Sequence, residues 1–155
     1  MIYRALSVVK PYGHYISTGR KTIEVRNWQP VDGMPLENLV IVENAVRLNS
    51  STHPTDPDGR IVAIVKVTGI RNWEKKDLAA SCAGTFQDGL LAWDLGNIRK
   101  ATYPMKVAAK LRIYDLDLDS GLLKVEPIAI PKSNYAQQAA NSIIARKNDS
   151  SFYLF

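Results

Sequence analysis

Apolar residues along this chain gather in short runs of strand length, and few stretches show the wider spacing of a helix. The opening run "IYRALSVV" (residues 2–9) reads as a strand entering the core. In "PYGHYIST" Pro11 suits the first turn of a short helix, and Gly19 suits its left-handed stop. Tyr12 and Ile16 lie one turn apart there with Tyr15 beside them, so this helix is expected to pack its tyrosines against the strands. A strand over 21–26 puts Ile23 and Val25 on one face and Thr22, Glu24 and Arg26 on the other. "LVIVENA" (39–45) is another strand. "RIVAIVKVTGI" (60–70) is the clearest, β-branched and apolar on both faces as a covered central strand requires.

The run "SSTHPTDPDG" (50–59) has the residues of a surface loop and leaves nothing to bury. "WEKKDLAASCA" predicts a helix, with Asn72 as its cap and Glu74 in the first turn. "LLAWDL" (90–95) and "KLRIYDLDLD" (110–119) predict further strands. In the second, Leu111/Ile113 and Leu116/Leu118 alternate out of phase by one, which predicts a bulge or bend. Ser120 and Gly121 turn the chain into "LLKVEPIAI". A last helix, "NYAQQAANSIIARK", sets Tyr135, Ala139 and Ile143 on one face. At least five strands with short helices between them predict an α+β domain built round a mixed barrel.

Length and composition keep that picture and narrow it. The 155 residues suit one domain over 1–155, with 2–118 as barrel core and 120–155 as C-terminal strand, helix and tail. The single Cys82 forms no intramolecular disulfide, and neither a signal peptide nor a membrane span is legible, so a cytoplasmic protein is expected. The net charge of +5 permits a phosphate-bearing partner without demanding one, because the basic residues are scattered in groups such as Arg71/Lys75/Lys76 and Lys106/Lys110/Arg112.

The densest chemistry lies in "STGRKTIEVRNW" (17–28), where Lys21, Glu24, Arg26 and Trp28 fall within one turn and one strand. Helix, strand and the spacing Gly19-x-Lys21-x-x-Glu24-x-Arg26 together resemble the opening of the ASCH family, a branch of the PUA-like β-barrel proteins. The strand 60–70 and "LLAWDLGNIRKATYPMKVAAKLRIYDLD" resemble later family strands, so the likeness covers most of residues 2–118. It implies a PUA-like mixed barrel with short flanking helices. It also implies a cleft lined by Lys21, Glu24 and Arg26, with Tyr12 and Trp28 beside it, that takes RNA, a nucleotide or a nucleoside. Some small bacterial members hydrolyse N4-acetylcytidine with a Lys, a Thr three residues later and a Glu further on. Lys21 matches the first of these, but Glu24 stands where the Thr would be.

Each candidate has a plainer alternative. Lys21 could be a cleft cation, base or nucleophile, or a solvated lysine at a junction. Glu24 and Arg26 could serve a ligand, or pair with each other for structure alone. Trp28 and Trp93 could stack on a base, or fill the core. His14 and His53 form no set with a nucleophile, and two His with one Cys give no zinc pattern. Asp115, Asp117, Asp119 and Glu126 imitate a calcium loop, but Ser120 holds the position that needs Gly, and a β-hairpin with outward aspartates is expected instead. Nothing in the sequence asks for a metal or cofactor. Two functions stay open: a binding module for RNA or a nucleotide, and a metal-independent hydrolase (an amidohydrolase or a ribonuclease) using Lys21 and Glu24. A closed pocket with Lys21 against an acid would favour the second, and a groove running into a basic patch the first.

Overall fold

The computed structural model describes residues 1–129. In chain order the elements are β1 (Ile2–Val9), α1 (Tyr12–Ser17), β2 (Ile23–Arg26), β3 (Leu36–Asn44), β4 (Thr55–Asp56) and β5 (Arg60–Asn72). A 3-10 turn (Lys75–Asp77) then leads into α2 (Leu78–Ser81), β6 (Leu91–Lys106), β7 (Ala109–Lys110), β8 (Ile113–Asp117) and β9 (Val125–Pro127). The main sheet runs β2-β6-β5-β3-β1-β8, with β9 also on β6, and β4 pairs with β7. The β1–β3 pairing is parallel and the others antiparallel, giving an α+β fold round a mixed, barrel-like sheet.

Both faces of the sheet are packed, as the apolar run of β5 demands. Leu39 and Ile41 of β3 join Val65, Val67 and Trp93 in one cluster, while their neighbours Val40 and Val42 join Ile61 and Ile64 in the other. Three register shifts along the β5–β6 pairing bend these long strands, as bulges do.

Helix α1 departs from expectation. Gly13, Ile16 and Ser17 face inward, while Tyr12 and Tyr15 are half-buried. The helix lies so close to β3 that a Cβ on Gly13 would sit 2.7 Å from Cβ of Glu43. Glycine is what permits the approach, and the Glu43 carboxylate accepts the His14 N–H at 2.7 Å.

Three other expectations change. Asn72 ends β5 opposite Leu91, and Glu74 caps the turn before α2 instead. The 50–59 segment does bury something: Asp56 accepts N–H groups of Ala45 (3.1 Å) and Asp58 (2.9 Å) and is almost inaccessible. The predicted hairpin after β8 does not form, because β8 pairs with β1 and β9 crosses to β6. Asp115 and Asp117 nevertheless point outward, pairing with Arg4 and with the N-terminal amine. The break expected in 110–119 falls at Leu111–Arg112, between β7 and β8, where Arg112 has φ of 58°. The predicted helix over 134–147 lies outside the described residues. No helix among the described residues is long and apolar enough to cross a membrane.

Candidate functional site

The break at Arg112 opens a cleft. Strand β8 pairs with β1 from Ile2↔Asp117 up to Leu6↔Ile113, and one step further Arg112 would face Ser7. The left-handed backbone, uncommon for a residue with a Cβ, turns the chain away at that point. Residues 7–9 of β1 are left to look across at β2 rather than pair with β8. Between them lies a cavity of about 580 Å³. Its floor carries Lys21, Glu24 and Arg26, and Tyr12 and Trp28 border it. The sequence motif and its neighbouring aromatics therefore meet in one place.

Lys21 is neither solvated nor free. Its side chain is 5% exposed, and its ammonium donates to the carbonyls of Ile23 and Ser81 at 2.7 Å each. Oε2 of Glu24 lies 3.2 Å away. Three acceptors meet three N–H groups, so the ammonium ties the start of β2 to the end of α2. The backbone of Thr22, donating to the Ala80 carbonyl at 2.9 Å, reinforces that tie.

Glu24 is the hub. Its Oε1 accepts from Nε of Arg26 at 2.8 Å while Oε2 faces Lys21. Burial pushes its carboxyl up, but the charges of Arg26 and then Lys21 outweigh this and hold it below its ordinary 4.5. Glu24 is therefore a carboxylate at neutral pH. Arg26 spends a second donor, Nη2, on the Ser7 carbonyl at 2.9 Å and remains a quarter exposed, with Nη1 unengaged among the described residues.

Trp28 is half-buried, edge-on to Trp93 with ring centres 5.0 Å apart, and the Arg112 guanidinium sits over its ring at 5.2 Å. Trp93 is fully buried in the core and presents no face to a ligand, which removes it as a stacking platform. Tyr12 has Lys21 Nζ 5.5 Å from its ring centre. His14 and His53 are exposed and do not line the cleft.

Three exposed cations complete the rim: Arg47, Lys110 and Arg112. None forms an ion pair among the described residues. Other basic groups are committed elsewhere. Arg71 is held between Asp77 (2.7 Å) and Asp94 (3.1 Å), and Lys106 pairs with Asp58. The cavity lining includes Lys110 but neither Lys106 nor Arg71. Sequence reasoning missed Arg47, which nothing local marks, because only the turn after β3 brings it there. It also missed Asn44 and Trp73, which line the cleft and whose Oδ1 and Nε1 have no hydrogen-bond partner among the described residues. Among the described residues no three His, Cys, Asp or Glu are grouped to hold a metal ion.

The sequence profile of the ASCH domain matches residues 6–141. The chain belongs to the ASCH domain family. Solved structures similar to this ASCH protein include ASCH from Zymomonas mobilis, at 14% identity, covering 71% of this chain and 87% of that one, with a TM-score of 0.40. Two single-substitution mutants of the same bacterial protein are similar at 14% and 15% identity. Each covers 71% of this chain, with 90% and 88% of their own chains covered, and each has a TM-score of 0.45. A search of curated proteins found no match.

Proposed function

We propose that this ASCH domain binds single-stranded RNA or a nucleotide in the cleft, with a base against Trp28 and Tyr12 and phosphate at the rim. The observation that carries this reading is the rim itself: Arg47, Lys110 and Arg112 stand exposed and without carboxylate partners among the described residues, lining the same cavity as a half-buried tryptophan. Aromatic faces stack on any base, and unpaired cations attract phosphate. Lys21, Glu24 and Arg26 serve as the rigid floor, and Nη1 of Arg26 is a donor left for the ligand. A cytoplasmic location belongs to the same proposal, supported by the lone Cys82.

Hydrolysis, of an N4-acylated cytidine or of RNA, has one observation in its favour, the buried Lys21–Glu24 contact at 3.2 Å. The same geometry works against it. An ammonium with three acceptors has no lone pair to offer as nucleophile or base, and a carboxylate held below 4.5 is a poor proton donor.

The test is a titration of a short unstructured RNA at several salt concentrations. About three or four phosphate contacts at roughly −0.7 each give a log–log slope near −2 to −3. Changing Arg47 and Lys110 together to Ala flattens it by about 1.4. Trp28→Ala leaves the slope nearly unchanged and weakens binding by about 1–3 kcal/mol per unstacked base. No binding at low salt, together with acetate release from N4-acetylcytidine, would replace this reading with the hydrolytic one.

A further inference from the structure

We infer that Arg112 is a specificity switch that discriminates phosphorylated from unphosphorylated ligands, because it covers Trp28 until a phosphate draws it away. The inference rests on the proposed binding of a base against Trp28. Three observations carry it. The guanidinium lies over the Trp28 ring at 5.2 Å, on the surface a base would use. Arg112 is exposed and has no hydrogen bond or ion pair among the described residues, so the stack is its engagement in the free protein. Its backbone has φ 58°, in the link where β8 leaves β1, and its side chain lines the cavity there.

The energetics of such an arrangement are opposed for the two ligand types. An uncharged nucleoside must displace the arginine from the indole and offers the guanidinium nothing in return. A nucleotide displaces it too, but its phosphate supplies charge-assisted hydrogen bonds that outweigh the lost cation–π contact. Arg112 therefore weakens nucleoside binding and strengthens nucleotide binding. An ordinary rim cation would leave the nucleoside unaffected, and an ordinary structural arginine would move both ligands the same way.

That sign difference is the test. Adenosine, cytidine and their 5′-monophosphates are titrated against wild type, Arg112→Ala and Arg112→Gly, following tryptophan fluorescence. The glycine variant accepts a positive φ without strain, so folding is not in question for it. Both variants should bind the nucleosides about two- to fivefold tighter, the ratio that corresponds to an exposed cation–π contact, and the monophosphates several-fold weaker. Nucleoside affinity that is unchanged or reduced in both variants overturns the inference, as does a parallel change for nucleosides and monophosphates. Wild type that binds none of the four overturns the inference as well, and only when it also fails to bind the short RNA does the underlying reading fall with it.

Discussion

Replacing Lys21 with Met should show that this lysine holds the fold before it serves any ligand. Methionine has nearly the length of lysine but offers no N–H. The change leaves the carbonyls of Ile23 and Ser81, both bonded at 2.7 Å in the native protein, without donors in a buried place. Each unmet acceptor costs about 1–3 kcal/mol. Glu24 keeps Arg26 but loses its second cation, and breaking a buried pair costs on the order of 3–5 kcal/mol. The effects overlap, and methionine packing offsets part of them, so a loss of about 3–5 kcal/mol is expected, against a total stability of roughly 5–15. Urea denaturation should show a lower midpoint with an unchanged slope, and melting should fall by roughly 6–20 °C. A pH series adds a second reading. Because the folded Glu24 titrates below 4.5, its stabilisation is complete above that value and is lost as pH falls through the depressed folded one. Without Lys21 part of that depression disappears, so the mutant should lose less stability on acidification than wild type. A midpoint change worth under about 1 kcal/mol would refute the argument and return Lys21 to a direct ligand role. Any loss of binding in Lys21 variants must accordingly be compared with the fraction still folded.

Gly13→Ala should destabilise by about 1–3 kcal/mol, because the new methyl would meet Glu43 at 2.7 Å; a neutral or raised melting temperature would mean that α1 can lift from β3 without strain. Asp56→Ala should cost on the order of 1–3 kcal/mol by orphaning the N–H groups of Ala45 and Asp58, visible as faster proteolysis between residues 45 and 59; equal cleavage rates would show the segment to be loosely held. The hydrogen bond from Asp58 chiefly lowers the Asp56 carboxyl, so this anchor should be intact above 3.8 and fail as pH drops through the lower folded value.

The strands whose apolar pattern is dense were legible directly: β1 and β5 fall where the runs "IYRALSVV" and "RIVAIVKVTGI" lie. The apolar pattern of β6 covers only residues 90–95, yet the strand extends to Lys106, because Gly96, Asn97 at φ 43° and Pro104 interrupt the pattern while bulges absorb them. The partner of β9 was not legible. Proximity in sequence suggests a hairpin with β8, but the open place on β6 lies across the sheet. The motif around Lys21 was found through its spacing and family likeness. Its burial was not, since the acceptors that satisfy the ammonium include the Ser81 carbonyl, sixty residues away. Arg71 shows the converse: among basic neighbours it read as part of a patch, and two aspartates from other elements neutralise it.

The seam between β1 and β2 is crossed by the Arg26 hydrogen bond to the Ser7 carbonyl, and Trp28 beside it packs on the cluster that joins Leu6 and Val8 of β1 to Trp93 of β6. Aperture and core thus meet at β2, while the exposed link at Arg112 lies outside the buried clusters. Substitutions at the exposed Arg112 can change the charge at the opening without repacking a buried layer, whereas Arg26 cannot be changed without stranding the buried Glu24. A fold arranged in this way can retune the charge of its guest from an exposed link while the floor beneath stays fixed.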